Sequence, residues 1–199
     1  IAANTLDYSQ VTPELRPGDL KLVDYDGNGK IDADDMVRQE DSFTPRFQYG
    51  VTVDLSYKNF DLSLLFQGSQ GGVTSLFNGE FGDWGNYYKY QHDNRWSIDN
   101  PSRVHPRLAS RGDTWYTDGG YGNNTYNYGS TDYLRLKNLE LGYNLPESIL
   151  GQGFISNFRL YASGLNLLTW TEFDMTDPEV ANRTYPLQKV WNLGLRVNF

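Results

Sequence analysis

The segment from position 24 to position 35 carries oxygen-bearing side chains at the spacing of a loop that wraps around a hard metal ion. These side chains stand at loop positions 1, 3, 5, 9 and 12, with glycine at position 6 and an aliphatic residue at position 8. Calcium takes about six to eight oxygen ligands from loops of this kind. The predicted ligands are Asp24, Asp26, Asn28, the carbonyl oxygen of Lys30, Asp32 directly or through a water molecule, and Asp35.

The last ligand position separates this loop from a true EF-hand. Asp35 stands where an EF-hand has glutamate, and its shorter side chain is less suited to bidentate coordination. No amphipathic helix pair brackets the loop in the sequence. A hairpin turn built on Asp-Gly and Asn-Gly is the alternative interpretation. Because a turn alone does not require oxygen ligands at five matched positions, we expect a bound divalent ion, calcium, with a structural role.

A second group of candidate binding residues lies in segment 69–130, which has no regular periodicity and is rich in Gly, Asn, Asp, Tyr and Trp. A stretch of this length without a pattern is typical of a functional loop. Aromatic rings offer large contact areas to sugar rings or apolar ligand faces. The candidate substrate-binding residues are Trp84, Tyr87, Tyr88, Trp96, Trp115 and Tyr116. The alternative, favoured for any one of them, is that they pack the loop on itself.

No arrangement of residues predicts catalysis. His92 and His105 are the only histidines, they have no metal-pair spacing, and the chain has no cysteine. Neither a nucleophile elbow nor a phosphate-binding loop is present. Carboxylates are concentrated in one polar loop, where such side chains are usually solvated: Glu172, Asp174, Asp177 and Glu179. We therefore do not expect an enzyme.

Composition and charge exclude two further classes of protein. Among 199 residues, 17 Lys and Arg stand against 25 Asp and Glu, a net charge of −8 that argues against nucleic-acid binding. Hydrophobic residues are 38% of the chain, and no apolar run approaches the ~18 residues of a membrane helix. Few aliphatic residues with many Tyr, Gly and Asn are typical of a transmembrane β-barrel, where only alternate residues face lipid. The chain begins without an initiator Met, so we expect a mature product or part of a longer protein.

Period-2 alternation predicts about five strands. The first runs from Phe47 to Tyr57, and after the turn at Lys58 and Asn59 the pattern restarts at Phe60, which predicts a hairpin. A third strand covers 132–145, where the apolar residues change parity, which predicts a β-bulge near Lys137 and Asn138. A fourth strand covers 158–170. The fifth alternates up to the last residue of the chain.

The connections between these strands are short at one end and long at the other. The turn at 58–59 and the connection at 146–157 fall on one side, whereas segments 69–130 and 171–185 and everything before position 47 fall on the other. Outer-membrane barrels have this asymmetry, with the long loops outside the cell. We predict an extracellular loop region at 1–46, with the calcium-like loop at 24–35. Barrel strands would occupy 47–199, with the long extracellular loop 69–130 and the short loop 171–185.

Several stretches, taken together and in order, resemble the last part of SusC-like TonB-dependent transporters of Bacteroidetes outer membranes. The matching stretches are 17–24, 47–50, 57–68, 132–146, 161–171 and the strand that ends at Phe199. The resemblance implies an all-β fold, a complete barrel of 22 strands, and an N-terminal plug. It also implies import of oligosaccharides or peptides, with a SusD-like surface lipoprotein as lid and with energy from the TonB complex. A dimer of transporter–lipoprotein pairs is a further expectation.

Five strands are too few to close even a barrel of about eight strands. We therefore expect this chain to form the C-terminal wall of a larger receptor in the outer membrane of a Gram-negative bacterium, completed by the remaining strands and the plug. The resemblance also suggests a signal for the barrel-assembly machinery in the last strand: Trp191, Leu193, Leu195, Val197 and Phe199.

A soluble, secreted, calcium-binding carbohydrate-recognition module is the alternative function, because a soluble β-sandwich has the same alternation. The two alternatives differ in what covers the apolar side of the strands. In a barrel these side chains form an uncovered band that faces lipid, and in a sandwich they lie buried between two sheets. The residues that discriminate are Leu62, Leu64, Leu193, Leu195 and Val197.

Overall fold

The computed structural model describes residues 6–12, 15–75, 89–108, 124–151, 154–173, 177–180 and 185–199. The chain divides into two compact units. One unit is made of Ile1–Glu40 and Ser75–Gly129, and the other of Asp41–Thr74 and Ser130–Phe199. The first unit holds the calcium-like loop, and the second holds the predicted strands.

Seven strands and two short α-helices form the regular structure of the described residues. The strands are β1 (Phe47–Tyr57), β2 (Phe60–Gln70), β3 (Val73–Ser75), β4 (Tyr128–Ser130), β5 (Tyr133–Asn144), β6 (Asn157–Thr171) and β7 (Val190–Asn198). The helices are α1 (Lys89–Asn94) and α2 (Glu147–Leu150), and 3-10 turns cover Ala33–Asp35 and Thr125–Asn127. None of the helices in this part of the chain has the length and apolar character needed to span a bilayer.

Five of the strands form one antiparallel sheet in the order β1-β2-β5-β6-β7, and β3 pairs with β4. When β3 and β4 are left out, the order of strands in the larger sheet is their order along the chain, as in an up-and-down barrel. The five strands predicted by alternation are confirmed, with ends that differ by at most two residues. The two-residue turn of the β1–β2 hairpin is also confirmed, with Lys58 at φ 53°.

One face of the sheet is apolar across all five strands. A single row of cross-strand neighbours runs from Leu55 through Leu62, Leu141 and Ala162 to Leu193. Leu55 is 56% exposed and Leu193 is 88% exposed. No second sheet among the described strands covers this face, so its side chains have no apolar layer to pack against. The uncovered band expected for a barrel wall is present, and the sandwich arrangement is not seen in these strands.

The β-bulge predicted near Lys137 is confirmed. Leu65 of β2 lies opposite Asn138, and Phe66 lies opposite Leu136, so Lys137 is the extra residue of β5. An extra residue reverses the parity of a strand. The bulge therefore keeps the apolar side chains on both sides of Lys137 on the same face of the sheet, which is why the parity changes in the sequence.

Candidate functional site

The calcium-like loop is organised around the carboxylate of Asp24. Its two oxygens accept hydrogen bonds from the backbone N–H groups of Gly27 at 2.7 Å and Gly29 at 2.9 Å. Gly29, at loop position 6, has φ +84°, a left-handed conformation that glycine adopts without strain. The chain therefore curls around this carboxylate as the spacing predicts.

The carboxylate of Asp35 closes the loop from its other end. It accepts hydrogen bonds from the backbone N–H groups of Tyr25 at 2.6 Å and Asp32 at 2.9 Å. The N–H groups of Asp32 and then Tyr25 hold the pKa of the Asp35 carboxyl below its ordinary value, because they stabilise the charged form. Asp35 is therefore kept ionised, the state in which a carboxylate binds a metal ion.

Three of the predicted ligands converge. Carboxylate oxygens of Asp24, Asp26 and Asp35 lie within 4.8 Å of one another. Asn28 is joined to this group because its amide donates to the Asp26 carboxylate at 2.8 Å, while its Oδ1 accepts from the backbone N–H of Lys30 at 2.7 Å. Hard oxygen donors at this spacing fit calcium. Asp32 is not part of the converging group, since its Oδ1 caps the 3-10 turn by accepting from the N–H of Asp34 at 2.9 Å.

The aliphatic residue at loop position 8 anchors the loop to its unit. Ile31 is 2% exposed and packs with Tyr8 in a small core that includes the partly buried Leu20 and Leu22. The backbone supports this contact, because the N–H of Ile31 donates to the carbonyl of Asp7 at 2.8 Å. Nothing in the spacing of the loop identifies Tyr8 as the partner, because that contact depends on how a distant segment folds back.

The candidate substrate-binding aromatics are described only in part. Trp96 is partly buried, its backbone N–H donates to the carbonyl of Pro106 at 3.0 Å, and its ring lies against Gly18. These contacts place Trp96 in the packing of its own unit. The remaining candidates lie outside the described residues: Trp84, Tyr87, Tyr88, Trp115 and Tyr116.

The polar face of the sheet carries an ion-pair cluster that the sequence does not predict. Arg135 of β5 donates to Asp177 at 2.7 Å, to Glu179 at 2.8 Å and to Thr169 of β6 at 3.0 Å. Lys137 donates to both oxygens of Glu179, at 2.5 and 2.7 Å. The expectation that Asp177 and Glu179 are solvated is therefore wrong. The partner cations on β5 shield them, and the return of this loop onto the sheet brings these residues together.

A second cluster lies near the other end of the same face. The guanidinium of Arg159 on β6 pairs with Asp61 of β2 and donates to Glu140 of β5 at 2.8 Å. The amide of Asn144 donates to Asp61 at 3.0 Å. Charged groups paired across three strands belong on a face in contact with water, not with lipid.

A cleft of about 680 Å³ opens at the edge of the sheet where β1 and β5 begin and where β2 and β6 end. Aromatic and carboxylate side chains stand out among its lining residues, which are Tyr49, Ser69, Gln70, Ser130, Asp132, Tyr133, Thr169, Trp170, Thr171 and Glu172. No Lys or Arg is among them. Rings beside carboxylates suit hydroxyl-rich or cationic groups better than anions.

Comparison with curated proteins gives several relatives, although no protein-family model matches the chain. TonB-dependent receptor P3 of Formosa agariphila is 37% identical over an alignment of 200 residues that covers 92% of this chain and 19% of the relative. TonB-dependent receptor P26 of the same organism is 33% identical over 92% of this chain and 20% of the relative. The chain thus spans about one fifth of the length of the curated relatives it matches.

Comparison with solved structures gives the RagAB peptide importer. In its 'open-open' state the likeness has a TM-score of 0.63 at 27% identity, covering 86% of this chain and 19% of the other. In its 'closed-closed' state the TM-score is 0.65 at 29% identity, covering 89% of this chain and 20% of the other. The predicted fold class is thereby confirmed as an all-β, antiparallel segment of a transmembrane β-barrel that is not closed by these strands alone. The chain belongs to the SusC-like TonB-dependent receptors, of which it forms a barrel portion.

Proposed function

We propose that this chain forms part of the barrel wall and the extracellular loops of an outer-membrane importer that takes up oligosaccharides or peptides. The observation that carries the proposal is the contrast between the two faces of the five-stranded sheet. One face is an uncovered apolar band, and the other holds paired charges such as Arg159 with Asp61. Lipid on one side and a water-filled lumen on the other account for both faces.

The rest of the receptor supplies what these strands lack. The remaining strands would pair with the free edges of β1 and β7, and a plug would fill the lumen. A SusD-like lipoprotein would cover the extracellular side, and the TonB complex would supply energy from the other side. In the complete assembly, two transporter–lipoprotein pairs would associate as a dimer. The import of peptides by RagAB supports this assignment at the level of a nutrient importer.

Membrane fractionation of the full-length protein that contains this chain tests the proposal. We expect recovery in the outer-membrane fraction, with release by detergent and not by high salt or alkaline carbonate. Loss of uptake of an oligosaccharide or peptide when the gene is deleted would identify the substrate class. Recovery of the folded protein in the soluble fraction would instead support the secreted carbohydrate-recognition module and overturn the importer.

We also propose that the loop at 24–35 binds calcium as a structural ion. Asp24, Asp26 and Asp35 supply the converging carboxylates, with Asn28, the Lys30 carbonyl and Asp32 completing the set as the loop adjusts. The ion would offset the repulsion among three carboxylates within 4.8 Å. Because it binds the folded loop and not the unfolded chain, calcium would stabilise this unit.

Calcium-dependent stability of the full-length receptor in detergent checks this proposal. We expect added calcium to slow hydrogen exchange across the loop, and the double substitution of Asp24 and Asp26 by Asn to abolish the effect. Asp99→Asn is the matched control, because Asp99 is an exposed aspartate of the same unit outside the converging group. The wild-type protein showing the same exchange with calcium and with a chelator would remove the calcium proposal.

A further inference from the structure

Arg135 is the most deeply buried large side chain of the described sheet. Its side chain is 2% exposed, although a guanidinium cannot be deprotonated and is costly to bury without partners. Each of the three guanidinium nitrogens has a partner: Nη2 donates to Asp177, Nη1 to Glu179 and Nε to Thr169. Two of these partners come from the segment between β6 and β7, so the burial of Arg135 depends on where that segment lies.

The segment 177–180 turns back along the polar face of the sheet. Arg135 is two residues from Tyr133, where β5 begins, and Lys137 is four residues from it. At about 3.3 Å per residue, these cations lie roughly 7 and 13 Å inside the end of the strand. Asp177 and Glu179 therefore reach back past the end of β6 at Thr171, and do not extend away from the sheet.

The same carboxylates fix the shape of the segment. Asp177 accepts hydrogen bonds from the backbone N–H groups of Glu179 at 3.0 Å and Leu187 at 3.3 Å. Glu179 is shared between Arg135 and Lys137, the extra residue of the β-bulge. The amide of Asn166 on β6 adds a separate tether, donating to the carbonyl of Gln188 at 3.0 Å. Cations from β5 and an amide from β6 thus hold two parts of the connection between β6 and β7 against the sheet.

We propose that Arg135 is a positioning residue that keeps segment 177–180 folded against the polar face of β5. This proposal rests on the proposed function, in which that face lines the lumen. The segment then forms part of the wall at the mouth of the pore and is not free to reach outward to a partner. Two cations and two carboxylates neutralise one another there, so the wall presents no unpaired charge from this cluster to a passing substrate.

Hydrogen exchange of the full-length receptor in detergent tests the proposal. Arg135→Met keeps most of the volume and removes the charge, and we expect exchange at 177–180 and 185–189 to rise at least about tenfold. Arg135→Lys, which keeps the charge but has fewer donors, should give an intermediate increase. This partial rescue separates a charge-dependent role from simple packing. Unchanged exchange in Arg135→Met would overturn the proposal.

Arg159→Met is the matched control, because Arg159 is a paired arginine on the same face but contacts Asp61 and Glu140. It should leave exchange at 177–180 and 185–189 unchanged, and an equal rise in this variant would also overturn the proposal. Should Arg135→Met fail to assemble, Asp177→Asn with Glu179→Gln removes the same ion pairs from the loop side, with the same expected and contradicting results. Failure of the proposed function itself would be seen separately, as recovery of the receptor without detergent.

Discussion

Gly18 allows two side chains of the first unit to pack closely against the backbone. Gly18 has φ +91°, and its carbonyl accepts a hydrogen bond from the backbone N–H of Arg107 at 2.7 Å. The ring of Trp96 lies against the same glycine. Arg107 also pairs with Asp19 at 2.6 Å, with the Asp19 side chain fully buried. A residue without a side chain is required here by both the conformation and the space.

We predict that Gly18→Ala destabilises this unit. A β-carbon at this position would lie 2.4 Å from Cε3 of Trp96, and a left-handed conformation costs alanine about 1–2 kcal/mol by itself. The control is Gly151→Ala, which has φ +65° with no atom within 4 Å of the added carbon. Local opening free energies from hydrogen exchange around each site should fall by more in Gly18→Ala than in the control. Equal losses in the two variants would mean that the space beside Trp96 has no effect on the cost of the substitution.

Within a strand, successive side chains lie on opposite faces of the sheet, and the proposed function depends on this alternation. In β7, Leu193 lies beside Ala162 on the apolar face, whereas Asn192 lies beside Ser163 on the polar face. Consecutive residues therefore meet different surroundings although they belong to the same strand. The proposed membrane position makes this difference measurable.

We predict opposite tolerance to lysine at these neighbouring positions. Leu193→Lys places a charge in hydrocarbon near the middle of β7, at a cost of about 2–4 kcal/mol, and should sharply lower the amount of assembled receptor in outer membranes. Asn192→Lys places the same charge toward water and should leave assembly nearly unchanged. Quantifying the detergent-extracted, folded receptor distinguishes the two. Similar losses in both variants would argue against lipid on the apolar face.

At the scale of the whole molecule, the described sheet has two open edges. Within it, β1 is paired only with β2, and β7 only with β6. Unpaired strand edges beside an apolar face tend to recruit further strands. In the receptor these edges would meet other strands of the same barrel.

We predict that the isolated 199-residue chain, refolded in detergent, associates with itself through these edges. Sedimentation at rising protein concentration should show growing assemblies, whereas the full-length receptor should keep a constant mass. The physical reason is that the isolated chain leaves backbone N–H and C=O groups unpaired in an apolar environment. A stable monomer at every concentration would contradict the open-edge description.

The sequence by itself determined the five strands of the larger sheet, the bulge and the loop spacing. Each of these depends on neighbours within a few residues: alternation repeats every second residue, the bulge shifts that parity at Lys137, and the calcium-like loop is a continuous segment. Local patterns of this kind can be read directly from the sequence, because they involve residues that are close together in the chain.

Only the tertiary structure decided which distant residues meet. Arg135 lies 42 and 44 residues from Asp177 and Glu179, and Arg159 lies 98 residues from Asp61. These pairs arise from the register of strands and from the return of a loop onto the sheet, and no local pattern encodes either. The same holds for Tyr8 and Ile31, because a buried contact is selected by the packing of the whole unit.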